Sequence, residues 1–381
     1  MELDFSPEQE DLRDTVRAFL TAECPIALVR RIVDARFAGH PASADALHAQ
    51  MVSLGWPALT VPEAGGGLGL GAIELALVSE ELGRVITPGP LFATITQYVP
   101  AILELGSPEQ IGVLLAPIAA GATSGTIAIA EPAGTTDPAA TTLIATPTDE
   151  AYVLHGVKSS VFEPEPDGWM VVVARLPGTR GDDGVCALVV PVDAARVEPI
   201  DAVDPSRVLA TVTFDDIVVP HDSLLGTPGP TTAVALRRAM HTATVCVALD
   251  AVGAAQQLFD ISLEYVKQRE QFGVPIGSFQ AIKHKFADML ILLERARALG
   301  EFAALTIAED DDRRALAVAM AKAASGDAAA LIAKEGIQLH GGIGYTWESD
   351  VHLYVRRLES DALLFGTAEH HRRTVADLIG V

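Results

Sequence analysis

The sequence predicts an α+β protein, mainly α, with helices on either side of a central antiparallel β-region. Three observations carry this prediction. Apolar residues recur at helical spacing from Ser6 to about Gly121. Short runs rich in Val, Ile and Thr fill about Thr126 to Gly229, separated by Pro, Gly and Asp. Helical periodicity then returns from about Pro230 to Val381. The boundaries expected are an N-terminal helical domain over 1–121, a middle antiparallel β-domain over 122–230 and a C-terminal helical bundle over 231–381. A chain of 381 residues is long enough to bury a core in each.

The first helix is announced by Ser6-Pro7-Glu8-Gln9, with Ser at the N-cap, Pro at the first helical position and Gln at the third. Leu12, Val16, Phe19 and Leu20 follow on one face. PEAGGGLGLGA (Pro62 to Ala72) interrupts the helices. With no preceding strand and no following Lys-Ser, its glycines read as a turn-rich loop and not as a phosphate cradle. TIAIAEP, AYVLHGV, WMVVVARL, CALVVPV and VTFDDIVVP are the β-runs. Val234 to Lys267 carries Ala243, Ala248, Ala251, Gly253, Ala254 and Ala255, small side chains that let helix axes approach closely, as in a central bundle helix.

Composition narrows the function. A formal net charge of −23 argues against binding a phosphate backbone, although a few focused arginines can still hold a phosphorylated small molecule. The apolar runs Trp169–Ala174 and Cys186–Val192 are strand-sized and too short to span a bilayer. MELDFSPEQE is acidic and shows no signal-peptide pattern, so a cytoplasmic location is expected. Cys24, Cys186 and Cys246 lie far apart and read as reduced core thiols. Glu369-His370-His371 could suggest a metal, but adjacent histidines on a helix point about 100° apart, so no metal site is expected. Asp310-Asp311-Asp312-Arg313-Arg314 reads as a polar connection between helices.

Two stretches carry chemistry. In KQREQFGVPIGSFQAIKHKFADM, Arg269 ends a helix, Phe272 follows three residues later and Gln280 opens the next helix. An arginine fork suits a pyrophosphate, an aromatic packs on a ring and a Gln amide bonds ribose or base. On spacing alone, a charged helix end with a buried Phe is the favoured reading. In GIQLHGGIGYTWESDVHLYVRR, Gly341, Gly342 and Gly344 would let backbone N–H groups approach an anion, with Gln338 as a side-chain donor. His340 beside that turn reads as a packed supporting residue.

Taken together these stretches resemble the acyl-CoA dehydrogenase family of flavoproteins. The resemblance runs from the SPEQEDLRDTVRAFL opening through Glu131-Pro132 and VTFDDIVVP to R-x-x-F-G and Q-x-x-G-G-x-G-Y. It implies an N-terminal helical domain, a middle β-domain and a C-terminal four-helix bundle, usually in a tetramer with FAD extended across a subunit boundary. It further implies that Arg269, Phe272 and Gln280 touch the pyrophosphate and adenine side of a neighbour's FAD. Gln338, Gly341 and Gly342 would reach its ADP half, and Thr367 would lie on the cofactor. An acyl-CoA thioester and an electron-transfer acceptor are the implied partners.

The family reaction needs a carboxylate base on the α side of the thioester, with flavin on the other face. In most members it is a Glu directly before a Gly-Thr pair; here that position is Phe365, in ALLFGTAEHHRR. In a minority the base comes from the long small-residue helix, at a position that falls on Ala243, flanked by Thr242 and Thr244. Neither Phe nor Ala accepts a proton. Glu348, Asp361 and Glu369 are the nearby acids, each reading as a surface or ion-pair residue. A flavin-contacting Thr is replaced by Ala130, and Ser160 and Phe162 stand where the family places a Trp and a Thr. The pattern points to a base-deficient subunit completing a homologous partner's FAD site in a heterotetramer. The alternatives are a self-sufficient homotetramer using an unusual acid such as Glu348 or Asp361, and a non-enzymatic acyl-CoA-binding scaffold.

Overall fold

The computed structural model describes residues 5–381; Met1 to Asp4, the start of the acidic opening, lie outside them. The N-terminal region is helical: α1 (Pro7–Glu23), α2 (Ile26–Phe37), α3 (Asp45–Ser53) and α4 (Ala72–Arg84). A helical turn, α5 (Leu91–Ala93), then runs through a π turn over Thr94–Tyr98 into α6 (Val99–Leu105), followed by α7 (Pro108–Ala119). Ser6 and Gln9 form the reciprocal capping pair: Gln9 N donates to Ser6 Oγ at 3.3 Å and Ser6 N to Gln9 Oε1 at 3.0 Å. The glycine loop is packed on its own backbone: a Cβ at Gly67 would lie 1.9 Å from the Val61 carbonyl oxygen.

The central sheet contains β1 (Gly125–Ala128), β2 (Ile144–Pro147), β3 (Ala151–Phe162), β4 (Trp169–Arg175), β5 (Val185–Pro191), β6 (Arg196–Pro199), β7 (Leu209–Pro220) and β8 (Leu224–Leu225). Their order is β6-β7-β3-β2-β4-β5-β8, with β1 also pairing β4. The sheet departs from a purely antiparallel one at β4, which runs parallel to β1 and β2. After the β2–β3 hairpin the segment Glu163–Gly168 carries the chain back across β2, and β4 therefore enters in β2's direction. Every residue of β4 after Trp169 is buried, which accounts for its unbroken apolar sequence.

The C-terminal region holds α8 (Pro230–Gln268), a short hairpin of β9 (Glu270–Gln271) and β10 (Val274–Pro275), α9 (Gln280–Ala308), α10 (Arg314–His340), α11 (Val351–Leu363) and α12 (Ala368–Ile379). α8, α9 and α10 pack on one another, α11 and α12 lie against α10, and α4 lies against α8. The α4–α8 crossing depends on two glycines. A Cβ at Gly83 would sit 2.0 Å from the Asp250 carbonyl oxygen, and one at Gly253 would sit 1.9 Å from that of Glu80. α8 and α10 are long and apolar enough to cross a membrane by length and composition, a length the strand-sized runs did not disclose because alanines dilute the apolar signal. In α8, 89% of that window is buried inside the fold, as for a core helix.

Candidate functional site

The Phe365-Gly366-Thr367 corner joins α11 to α12. Phe365 and Gly366 take left-handed backbone, at φ 56° and 104°. Thr367 is the N-cap of α12, its hydroxyl accepting from His370 N at 3.2 Å, so that oxygen is engaged within the chain. His371 Nε2 bonds the Phe365 carbonyl oxygen at 2.9 Å, and burial brings the imidazole down to about 4, leaving it neutral. The histidine pair is therefore a helix start in which only His370 is exposed. Ala243 is fully buried, and Phe365 packs on the apolar cluster that contains it. The two positions at which the resemblance expects a base thus face the same hydrocarbon interior.

The three candidate acids lie in different settings. Glu348 is exposed after the glycine-rich turn, and Glu369 is exposed and paired with Arg373 at 2.7 Å. Asp361 is 1% exposed, so it is no surface residue. It belongs to an ionic centre of two guanidiniums and three carboxyls. Arg207 bridges Asp361 at 2.8 Å and Asp250 at 2.7 Å; Arg357 reaches Asp204 at 2.6 Å and Asp250 at 3.3 Å. Lys322, also buried, donates to the Asp361 carbonyl at 2.8 Å, so its ammonium lies beside the three acids and two guanidiniums. Burial, and then the Asp250 charge, push Asp361 well above the usual carboxylate range, whereas Arg207 and Arg357 outweigh burial and hold Asp250 low. Of the three carboxyls, Asp361 is the one on which burial and the Asp250 charge most favour the protonated form.

The same centre closes the interior beside β3. Phe162 is 2% exposed and meets Phe92 with ring centroids 6.1 Å apart. The Arg207 guanidinium lies over both rings, 4.4 Å from the Phe92 centroid and 5.1 Å from that of Phe162. Neighbouring β-domain residues that match the family have a structural task. Lys158, fully buried, donates to Glu131 at 2.7 Å, to Thr141 at 2.8 Å and to the Ile129 carbonyl at 3.2 Å. Burial raises the Glu131 carboxyl, but the Lys158 charge and hydrogen bonds from Lys158, Thr142 and Leu143 outweigh it and bring the group to about 2.

At the far end of the bundle the second group of residues is open. Arg269 is the C-cap of α8; its side chain is exposed and makes no hydrogen bond or ion pair among the described residues. Phe272 is 94% exposed at φ 55° on the β9–β10 hairpin, which overturns a buried-Phe reading. Gln280, the first residue of α9, and Gln338 on α10 are also exposed. Gly341 has φ 62°, and nothing lies within 4 Å of a Cβ placed there or at Gly342, so the turn presents bare backbone. The Tyr265 ring stacks on His340 at 4.3 Å and so fastens the end of α8 beside the end of α10. His340 is buried and bonds the Gly336 carbonyl at 2.8 Å.

The ionic centre escaped the sequence reading, since charged residues are rarely fully buried. One signal was present: Asp250 is the sole charge in the apolar stretch Thr242–Gln256. Nothing in the sequence pairs Arg207 with it from 43 residues away.

Residues 6–122 match the N-terminal domain of acyl-CoA dehydrogenases and residues 232–380 their C-terminal domain. The mitochondrial short-chain specific acyl-CoA dehydrogenase of Bos taurus is 30% identical over 335 residues, covering 86% of this chain and 80% of that protein. Butyryl-CoA dehydrogenase from Megasphaera elsdenii superposes with a TM-score of 0.89 over the whole of both chains at 25% identity. A chain of the Tcur3481-Tcur3483 steroid acyl-CoA dehydrogenase gives a TM-score of 0.84 at 27% identity, covering 98% of this chain and 97% of that one. The chain belongs to the acyl-CoA dehydrogenase family, whose members are FAD-dependent oxidoreductases.

Proposed function

We propose that this chain is the base-deficient subunit of a heteromeric acyl-CoA dehydrogenase, completing the FAD site of a homologous partner that carries the base. The observation behind the proposal is the filled interior. Phe92 and Phe162 pack at a tilt under the Arg207 guanidinium, and Phe365 packs on the apolar cluster that contains the buried Ala243. A flavin ring seated on the Phe162 segment would have to displace a guanidinium held by two buried aspartates. The chain's own residues therefore do not fit the isoalloxazine side of FAD.

They do fit its ADP side. Arg269 offers an uncommitted fork for the pyrophosphate, Phe272 an exposed ring, Gln280 and Gln338 amides, and the Gly341-Gly342 turn N–H groups free of side-chain cover. Bound FAD supplies the hydride acceptor of the family reaction; this chain's part is to bind and orient the cofactor's phosphate end on a neighbour. An exposed aromatic at 94% is costly on a free chain and is covered when a partner's nucleotide lies on it. The two-part name of the Tcur3481-Tcur3483 enzyme is in keeping with this arrangement.

The test is the flavin-to-protein ratio of the chain purified alone and after co-expression with a homologous family member. A ratio near zero alone, restored in the co-purified complex and lowered by Arg269→Ala, is expected. About one flavin per chain in isolation, with thioester turnover, would refute the proposal.

A further inference from the structure

Immediately after Phe162 the chain turns away from the ionic centre. Glu163 takes a left-handed backbone at φ 44° and is 2% exposed. Its Oε1 accepts from Val208 N at 2.9 Å, and its other oxygen has no hydrogen-bond partner among the described residues. A non-glycine residue in this conformation carries strain of order 1–3 kcal/mol. Such a residue lines a cleft of about 1100 Å³ between the α2–α3 connection and the segments flanking β3 and β7.

The contents of the cleft select the ligand. Its two arginines are committed: Arg36 donates to the Pro205 carbonyl at 2.9 Å and to that of Ala42 at 3.3 Å, tying the two walls together, and Arg207 belongs to Asp250 and Asp361. No free guanidinium remains for an anion, and Asp45, Glu165 and Asp167 on the walls repel one. Much of the remaining lining is prolyl, alanyl and aliphatic. Burial raises the Glu163 carboxyl to about 7, so near neutral pH it can donate to a carbonyl or accept from a hydroxyl.

We propose that this cleft binds an uncharged, mainly apolar small molecule whose single hydroxyl or carbonyl oxygen meets Glu163. The cleft reaches Arg207 but not Asp250 or Asp361, and needs neither a flavin nor a base. It is thus a ligand site that a base-deficient chain can operate, and its test does not depend on flavin content.

The probe is Nile red, an uncharged fused-ring dye with one ring carbonyl, titrated into the full chain and followed by fluorescence. One saturable site per chain is expected. Glu163→Gln, whose amide keeps the Val208 contact and can donate to the dye, should bind within about two-fold of the parent, and Glu163→Met about ten-fold more weakly. Ser43→Trp and Ala122→Trp, substitutions of exposed residues that line the cleft, should each abolish the site while leaving thermal unfolding unchanged. The proposal is overturned if no saturable binding occurs, if binding survives both tryptophans, or if Glu163→Met binds as tightly as the parent.

Discussion

Arg207→Met removes the guanidinium that joins Asp250 to Asp361 and covers two aromatic rings, leaving Arg357 and the Lys322 ammonium with three buried acids. Breaking a buried pair from one side typically costs about 3–5 kcal/mol. Two features place this case at the low end. Arg357 still reaches Asp250 at 3.3 Å, and Asp361, pushed well above its ordinary range by burial and the Asp250 charge, can take a proton when its partner is lost. Methionine also refills part of the volume. For a chain of this length a loss of about 3 kcal/mol lowers the unfolding midpoint by about 4 °C, taking about 2.1 cal/mol/K of unfolding entropy per residue. The neighbouring carboxyls supply an internal control. Asp361→Asn replaces the acid whose protonated form is most favoured by a neutral isostere and should change stability by less than about 1 kcal/mol. Asp250→Asn removes the ionised partner of both arginines and should cost about 3 kcal/mol or more. Thermal unfolding at pH 7, followed by far-ultraviolet circular dichroism, measures all three. If Asp361→Asn proves as damaging as Asp250→Asn, or if Arg207→Met shifts the midpoint by less than about 1 °C, the proton has been assigned wrongly and the account of the centre fails.

The remaining expectations are separate from that centre. Glu163 has a folded-state pKa of about 7, above its unfolded value, so the folded state holds the extra proton and stability falls as pH rises between the two values. Glu163→Gln should therefore stabilise the chain by up to roughly 3 kcal/mol at pH 8 and by almost nothing near pH 4, measured by denaturant unfolding at both. Gly253→Ala places a methyl 1.9 Å from the Glu80 carbonyl oxygen at the α4–α8 crossing and should cost more than about 3 kcal/mol or prevent soluble expression; a folded variant with an unchanged midpoint would show that the crossing relaxes freely. Phe365→Glu restores the family's acid but leaves Phe92, Arg207 and Phe162 in place, so no acyl-CoA oxidation should appear in an assay with an artificial electron acceptor. Turnover by that single substitution would mean that only the base is missing.

What could be read in the chain itself was whatever depends on neighbours in sequence. The Ser6 cap, the apolar helical faces, the β-runs and the return to helix rest on local periodicity, and they were enough to establish the α+β class. Family motifs located the Arg269 and Gly341 stretches and exposed the losses at Phe365 and Ala243, because a residue type at an aligned position needs no coordinates. Tertiary structure decided the rest. It brought Arg207 from the β6–β7 connection onto Asp250 in α8 and Asp361 in α11, so that the acid read as a surface or ion-pair residue is a buried ion-pair residue. It set Phe272 outside and Asp361 inside, although composition favours the reverse. The direction of β4 was settled by the path of the Glu163–Gly168 connection, which no strand pattern reveals. The cause is the same throughout: desolvation and long-range pairing depend on which segments meet in space, and a linear pattern carries only the preferences of each segment alone.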